Sequence, residues 1–506
     1  MGKFYLTTAI DYVNASPHIG HALEKVQADV LARFRRLKGD DVFFLTGTDE
    51  HGTKIYRAAS QAGLTPQEFC DRKSAEFKRL VKELNISNNY FVRTTEKRHE
   101  QACQKLWIAC SQHIYKARYR GYYCVGCEAY LLERDLEDGL CPIHKTRPEI
   151  IEEENYFFRL SAFREKLLKY YDENPGFIYP RERFNEVYSF VEEGLEDVSI
   201  SRSRAKLPWG IEVPGDPDQV MYVWFDALTN YISAVGYADD PEKFRKYWPA
   251  NVHVIGKDIS RFHCILWPAM LMSAGLPLPE KVFIHGFLTV EGEKMSKSKG
   301  NVVDPFEIIS EFGADALRYY LIAEVPTTED GDFSRRRFLE RYNADLANDY
   351  GNAFYRMLKL ALKNGLIVVN RPEVLEADDR ALLEEIEKKV ASFERAFEGL
   401  ELREGVREAM DVVKLINKYI DYAAPWRLAR EDKEAFSRLL YLVFDALRRA
   451  SVLLYPVIPD AAGKMLESMG IEATSISLNE AKSYGVKSQI ELKEIAPLFP
   501  RVSTDD

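Results

Sequence analysis

Apolar positions outline the first elements. In the opening "KFYLTTAI" they are short-ranged and rich in aromatic and β-branched residues, which predicts a strand. After Pro17, Ile19, Leu23, Val26, Val30, Phe34 and Leu37 recur every three to four residues and predict an amphipathic helix, which Gly39 and two aspartates stop. "DVFFLTG" then predicts a buried strand bounded by Gly47. A strand, a helix and a strand in that order make a βαβ unit, the opening of a doubly wound sheet. Ligands of such sheets bind at the carboxyl ends of the strands near a switch point, so the loop from Tyr12 to His21 and the "TDEHG" loop are expected to face one crevice.

From about residue 115 to 214 the pattern changes to tyrosine-rich, cysteine-bearing, hairpin-like stretches with an acidic run, "IIEEENYFF", and predicts an insertion. "MYVWFDAL", "NVHVIGKDI" and "KVFIHGFLTV" return as predicted strands, so the sheet resumes after it. From about 335 to 470 the periodicity predicts long amphipathic helices, and "GIEATSISLNEAKSYGVKS" is turn-rich. The expected division is a split catalytic domain at 1–114 and 215–334, an insertion at 115–214, and an α-helical domain at 335–506.

Composition narrows the function. The chain has 506 residues, 46 % of them hydrophobic, enough for a large core and about three domains. A net charge of -10 means that any nucleic-acid contact rests on local patches rather than on a basic body. No signal-peptide pattern opens the chain and no apolar run is long enough to cross a bilayer, so a cytoplasmic protein with no membrane partner is expected. Seven cysteines with clustered spacing favour metal chemistry over a disulfide framework. Cys124 and Cys127 form a C-x2-C pair, and thirteen residues later Cys141 and His144 form C-x2-H. Three thiolates and one imidazole close a tetrahedral sphere, the ligand set of a structural zinc site. Cys70, Cys103, Cys110 and Cys264 are scattered on apolar stretches and are expected in the core.

Two loops carry candidate chemistry. His18 and His21 flank Gly20 at the predicted helix N-terminus, where free N–H groups attract anions and an imidazole can donate to phosphate without adding a permanent charge. Far along the chain, "GEKMSKSKGN" interleaves Lys294, Lys297 and Lys299 with serines between Gly292 and Gly300, the composition of a mobile loop that closes on polyphosphate. Together the two resemble the "HIGH" and "KMSKS" signatures of class I aminoacyl-tRNA synthetases. "TTAIDYVNASPHIGH", "FLTGTDEHGTKI", "YVWFDALTNY", "VIGKDISRFH", "KMSKSKGNVVDP", "GADALRYYL" and "NADLANDYGN" sharpen this to a resemblance to the methionyl-tRNA synthetase family, its single-zinc-knuckle branch, along essentially the whole chain.

That resemblance implies an α/β fold: a doubly wound parallel Rossmann-type nucleotide-binding sheet with a zinc-knuckle insertion and a C-terminal all-α bundle. It implies activation of L-methionine with ATP and transfer to the 3'-terminal ribose of tRNA(Met), with Mg2+ arriving on the nucleotide. His18, His21, Lys294 and Lys297 are then catalytic, and with Gly20 they bind ATP. The α-ammonium carboxylate falls on Asp49. The methionine pocket falls on Ile10, Tyr12, Trp224, Ala227, Leu228, Tyr231, Ile259 and His263, with His263 or Tyr12 offering the sulfur a weak hydrogen bond. Asp11 and Leu228 depart from the residues common in the family and put the pocket shape in question. Asn352 and Arg356, four apart on one helix face, and Trp426 behind Pro425 are implied to meet the CAU anticodon, an arrangement suited to reading unstacked bases. "FSRRRFLERYN" fits the inner side of tRNA and a solvated charge run equally. The short tail after the helical region leads to an expected monomer. Two alternatives stay open: a tRNA-independent adenylate-forming nucleotidyltransferase of the same superfamily, and a non-catalytic RNA-binding relative.

Overall fold

The structure, a computed structural model, describes residues 2–503 apart from 127–128, 132, 134–135, 143–144 and 296–299. Strands β1 (Lys3–Thr8), β2 (Asp11–Tyr12), β3 (Asp41–Asp49) and β4 (Tyr90–Arg93) begin a seven-stranded sheet that is parallel throughout. On β1 Leu6 stands opposite Phe44 on one side and Val252 on the other, so β1 lies between β3 and the strand Val252–Gly256. Val282–His285 and then Ile178–Tyr179 complete that edge. The chain therefore leaves β1 toward β3 and later resumes on the opposite side, which makes the carboxyl end of β1 the switch point where a crevice opens.

Alternation along the strands builds two cores, because successive side chains point to opposite faces. Phe4, Leu6, Val42, Phe44 and Val254 face α1 (Ile19–Leu37) through its Leu23, Val26, Val30 and Phe34. Tyr5, Phe43, Leu45, Ile255 and Ile284 face the helices Lys97–Ala109 and Trp267–Ser273. The expected βαβ opening and doubly wound sheet are thus present.

Two expected strands change. "MYVWFDAL" is a strand only as far as Met221; Val223–Leu228 is a short helix, with the N–H groups of Phe225 and Asp226 donating to the Tyr222 carbonyl at 3.0 and 3.2 Å. A continuous apolar run has no period that separates a buried strand from a buried helix, and tertiary contacts decide. "KVFIHGFLTV" is split: Leu288–Val290 leaves the main sheet to pair with Gly331–Phe333 and Glu293–Lys294.

Within the stretch expected as an insertion, Ile114–Cys124 and Glu149–Phe158 pair as a long antiparallel hairpin. Ile178–Tyr179, however, is the edge strand of the main sheet, and Leu167, Tyr171, Phe184 and Val187 from the helices Arg164–Glu173 and Arg181–Glu193 join the core of its second face. The span 115–214 is therefore not separate throughout. Beyond it, the helices Ala377–Glu398, Leu402–Ala423, Lys433–Leu454 and Pro459–Ser468 bury Ile386, Val413, Phe444 and Met465 in the core that α1 also faces. The turn-rich tail holds a helix, Leu478–Lys482, and a strand, Gln489–Glu491, paired with Val368–Asn370. Among the described residues no helix is long and apolar enough to cross a membrane.

Candidate active site

His18 caps α1. Its Nδ1 accepts the Gly20 N–H at 3.1 Å, and the Nδ1 of His21 accepts the His18 N–H at 3.0 Å. An imidazole nitrogen that accepts carries no proton, so both rings are protonated on Nε2 and are neutral donors from that atom. Burial first, then the neighbouring His18 ring and the Lys25 charge, hold His21 well below the usual histidine value. The rings lie 3.9 Å apart between centroids. Gly20 leaves room for the His18 ring: a Cβ on it would stand 2.9 Å from that ring, which would have to shift. The same Cβ would lie 3.4 Å from the Met295 methyl, and the Ile19 N–H donates to the Val303 carbonyl at 3.2 Å, so Met295 of the second signature and the chain after it meet the start of α1. Lys294 lies in the short strand Glu293–Lys294; Lys297 and Lys299 lie outside the described residues.

Ile10 and Tyr12 follow β1, and the Val13 N–H donates to the Asp49 carbonyl at 3.3 Å, joining this loop to the end of β3. Buried Asp49 is followed by Glu50, whose carboxylate takes Arg93 at 2.6 and 2.9 Å, Thr48 at 2.8 Å and Thr95 at 2.6 Å, while its carbonyl accepts the Trp209 Nε1–H at 2.6 Å. Trp224 stacks on Phe262 with centroids 3.9 Å apart and planes within 6°. Ala227, Leu228 and Tyr231 are buried behind it.

His263 Nδ1 donates to the Ile259 carbonyl at 3.0 Å, so its Nε2 accepts from the Tyr231 hydroxyl at 2.6 Å. Burial pushes this imidazole down to about 4. With both nitrogens engaged by the protein, His263 has no proton to offer a thioether, which corrects that part of the expectation. Asp11, the departure beside the pocket, meets Lys25 at 3.0 Å, and Lys25 also meets Glu24 at 3.0 Å. Burial raises the Asp11 carboxyl to about 7 against the pull of Lys25. Against its own burial, Lys25 is held above its usual value by the two carboxylates and remains charged.

Sequence reasoning missed one cluster. The Asp226 carboxylate meets His51 Nδ1 at 2.7 Å through one oxygen and His99 Nε2 at 2.7 Å through the other, with Cys103 Sγ 3.2 Å from the same His99 nitrogen. His99, Cys103 and Asp226 each offer a ligand atom, all within 4.8 Å, a spacing at which an ion could be shared. As placed, 2.7 Å is the length of an N–H···O bond, so the arrangement is a hydrogen-bonded network. Against burial, His51 and His99 hold Asp226 below the usual carboxylate value, and Asp226 in turn raises His51 against its own burial. The available signal was a charged residue inside the apolar "YVWFDAL" and a histidine two residues after Asp49.

Of the expected zinc ligands, Cys124 ends the strand Ile114–Cys124 and Cys141 sits in a turn closed by Lys145 N–H to the Cys141 carbonyl at 2.8 Å; both cysteines are buried. Cys127 and His144 lie outside the described residues. Cys103, Cys110 and Cys264 are buried in the second core, and Cys70 in a smaller apolar cluster with Val13, Ile55 and Phe77. In the helical region exposed Asn352 opens the helix Asn352–Lys363, and Arg356 reaches Asp421 near the end of Leu402–Ala423 at 3.4 Å. Pro425 is the first residue of the next helix and Trp426 is 49 % exposed. Arg335, Arg336, Arg337 and Arg341 each pair with an acidic side chain.

The chain matches the sequence profile described as "tRNA synthetases class I (M)" over residues 4–145 and 131–358, and that of the "Anticodon binding domain of methionyl tRNA ligase" over 371–491. It is 46 % identical to the methionine–tRNA ligase of Brucella suis, covering 99 % of this chain and 98 % of that one. Identity to the methionine–tRNA ligase of Thermotoga maritima is 44 %, over 100 % of this chain and 81 % of that one. The Mycobacterium tuberculosis methionyl-tRNA synthetase solved in complex with methionyl-adenylate superposes with a TM-score of 0.95 at 43 % identity, covering 99 % of this chain and 100 % of that one.

Proposed function

We propose, from the premise that the chain belongs to the class I methionyl-tRNA synthetase family, that the crevice at the end of β1 activates L-methionine with ATP and that the helical region reads the anticodon of tRNA(Met). The activity is that of a methionine–tRNA ligase. In the first step a carboxylate oxygen of methionine attacks the α-phosphorus and the bond to pyrophosphate breaks. In the second, the terminal ribose hydroxyl of the tRNA attacks the carbonyl of the mixed anhydride and AMP leaves. Neither step needs a protein nucleophile; both need donors fixed where charge develops.

The observation that carries this reading is the pair of Nε2–H donors at the N-terminus of α1, each fixed by a backbone bond to its Nδ1. They reach phosphate oxygens without a permanent charge that would hold the product. Lys294 and Lys297 clamp the triphosphate, and Mg2+ arrives on ATP. Asp49 takes the α-ammonium group. Ile10, Tyr12, Trp224, Ala227, Leu228, Tyr231, Ile259 and His263 surround the side chain, the sulfur being served by Tyr12 rather than His263. Asn352, Arg356, Pro425 and Trp426 meet the anticodon.

Cys124, Cys127, Cys141 and His144 hold one structural zinc ion that braces the hairpin when bound. Burial of the two described cysteines, one at a strand end and one in a tight turn, fits that donor set. The ligase is taken to work as a cytoplasmic monomer.

The test is methionine-dependent exchange of labelled pyrophosphate into ATP. The expected result is exchange with methionine alone, lowered in His18→Ala by at least about 100-fold, the scale of one lost transition-state donor. Exchange undiminished in His18→Ala would remove the histidine from the chemistry.

A further inference from the structure

We propose that Asp226 is a positioning residue for methionine: clamped between His51 and His99, it sets the helix Val223–Leu228 against the loop after β3, so that Trp224, Ala227 and Leu228 meet an amino acid held at Asp49. The inference rests on the pocket assigned above and adds what holds its two halves in register.

The two sides differ in rigidity. The end of β3 and the loop after it, residues 48–52, are fixed through Glu50, which is bound by Arg93, Thr48, Thr95 and Trp209. The facing helix has six residues and no side-chain cap at its start. Six residues close too few internal hydrogen bonds to hold an orientation alone, so outside contacts set it. Asp226 supplies them. One oxygen takes His51, two residues after Asp49, and the other takes His99 on the helix Lys97–Ala109, whose Nδ1 lies 2.9 Å from Ser233 Oγ. Asp226 is 1 % exposed, His51 4 % and His99 0 %, so water cannot replace either bond. Trp224, Ala227 and Leu228 stand within two residues of Asp226 on the same short helix and move with it.

The charge matters as well as the shape. A carboxylate accepts at both oxygens, and both partners here donate. An asparagine at 226 offers one acceptor and one N–H donor, so one histidine faces a donor and must turn or retreat. The distance from the ammonium site to the thioether wall then changes, whereas His18, His21 and the nucleotide side of the crevice do not depend on this clamp.

Steady-state pyrophosphate exchange on the full chain tests this, with methionine and ATP varied separately. For Asp226→Asn the KM for methionine is expected to rise at least tenfold, with the KM for ATP within twofold and kcat within threefold of wild type. A second pair guards against misfolding. His51→Asn places an amide N–H near the Nδ1 position and is expected to recover most of the methionine affinity, whereas His51→Leu behaves like Asp226→Asn. A methionine KM within twofold of wild type in Asp226→Asn overturns the proposal. So does a loss that falls equally on methionine and ATP in all three variants, since that is general destabilisation. Absence of methionine-dependent exchange in the wild type would count against the pocket assignment itself, and is read separately from the variants.

Discussion

His263 shows how one buried ring is tuned. Its Nδ1–H is spent on the Ile259 carbonyl and its Nε2 on the Tyr231 hydroxyl, both residues of the methionine pocket proposed above. Adding a proton would place a second donor against that hydroxyl and a charge in a dry site, so burial depresses the folded value to about 4 from an ordinary 6.5. The folded state thus prefers the neutral ring. Its contribution is fully present above about pH 6.5 and is lost as pH falls toward 4, a swing of roughly 3 kcal/mol at most. Urea midpoints measured from pH 7.5 to 4.5 check this. The wild type is expected to lose more stability across that window than His263→Gln, by up to about 3 kcal/mol, and parallel profiles would mean that the ring is not held neutral. The residues that carry such effects were unevenly legible. His18 and His21 stand three apart at a helix start, so their spacing alone places them together. Asp226 and His51 meet across 175 positions, a pairing that no local pattern encodes.

At the scale of elements, α1 does more than carry His18 and His21 at its start. Asp29, fully buried on it, accepts Arg33 at 2.7 Å, the Ser87 N–H at 2.6 Å and Arg318 at 2.8 Å. Arg318, on the helix Ala314–Ala323, also donates to the carbonyls of Leu84 at 3.0 Å, Pro456 at 2.7 Å and Val457 at 2.8 Å. One guanidinium thus ties α1, the end of Pro66–Glu83 and the turn after Lys433–Leu454. Arg318→Leu would strand a buried carboxylate with one partner fewer and leave three carbonyls without this donor, at an expected cost of about 3–5 kcal/mol in urea unfolding; a loss under about 1 kcal/mol would show that the cluster is dispensable. The stretch "GADALRYYL" gives no hint of this in sequence, because an arginine in a helix is usually solvated. The βαβ opening was legible because the 3.6 period of α1 is strong and the strands on either side are short apolar, aromatic or β-branched runs with turn residues at their ends. Val223–Leu228 was misread as strand because a mostly apolar run of six residues shows no clear period, and the partners of its one charged residue, Asp226, lie far away in the chain.

Across the whole molecule, one apolar core runs from the α1 face of the sheet into the helices of the C-terminal part, with Phe34 packed on Phe393 and Phe397. A crevice and a helical end built on one core hold a fixed relative geometry, which suits an enzyme that must present a tRNA terminus to one site while its anticodon rests on another. At a net charge of -10 the chain cannot hold that tRNA by a general positive surface, so recognition must rest on a few shaped contacts. Trp426 has the properties of such a contact. It follows a buried proline that opens a helix, it is 49 % exposed, and the Arg356 to Asp421 pair lies at the same end of the bundle. Stacking of one base on an indole is worth about 1–3 kcal/mol, roughly 5- to 150-fold in affinity. Trp426→Ala is therefore expected to lower kcat/KM for charging tRNA(Met) by about that factor. Methionine-dependent pyrophosphate exchange should stay within twofold of wild type, because the exposed ring contributes little to the core on which the crevice is built. Charging and exchange falling together would mean that the ring holds the fold rather than the tRNA, and charging left intact would move the anticodon contact elsewhere on the bundle.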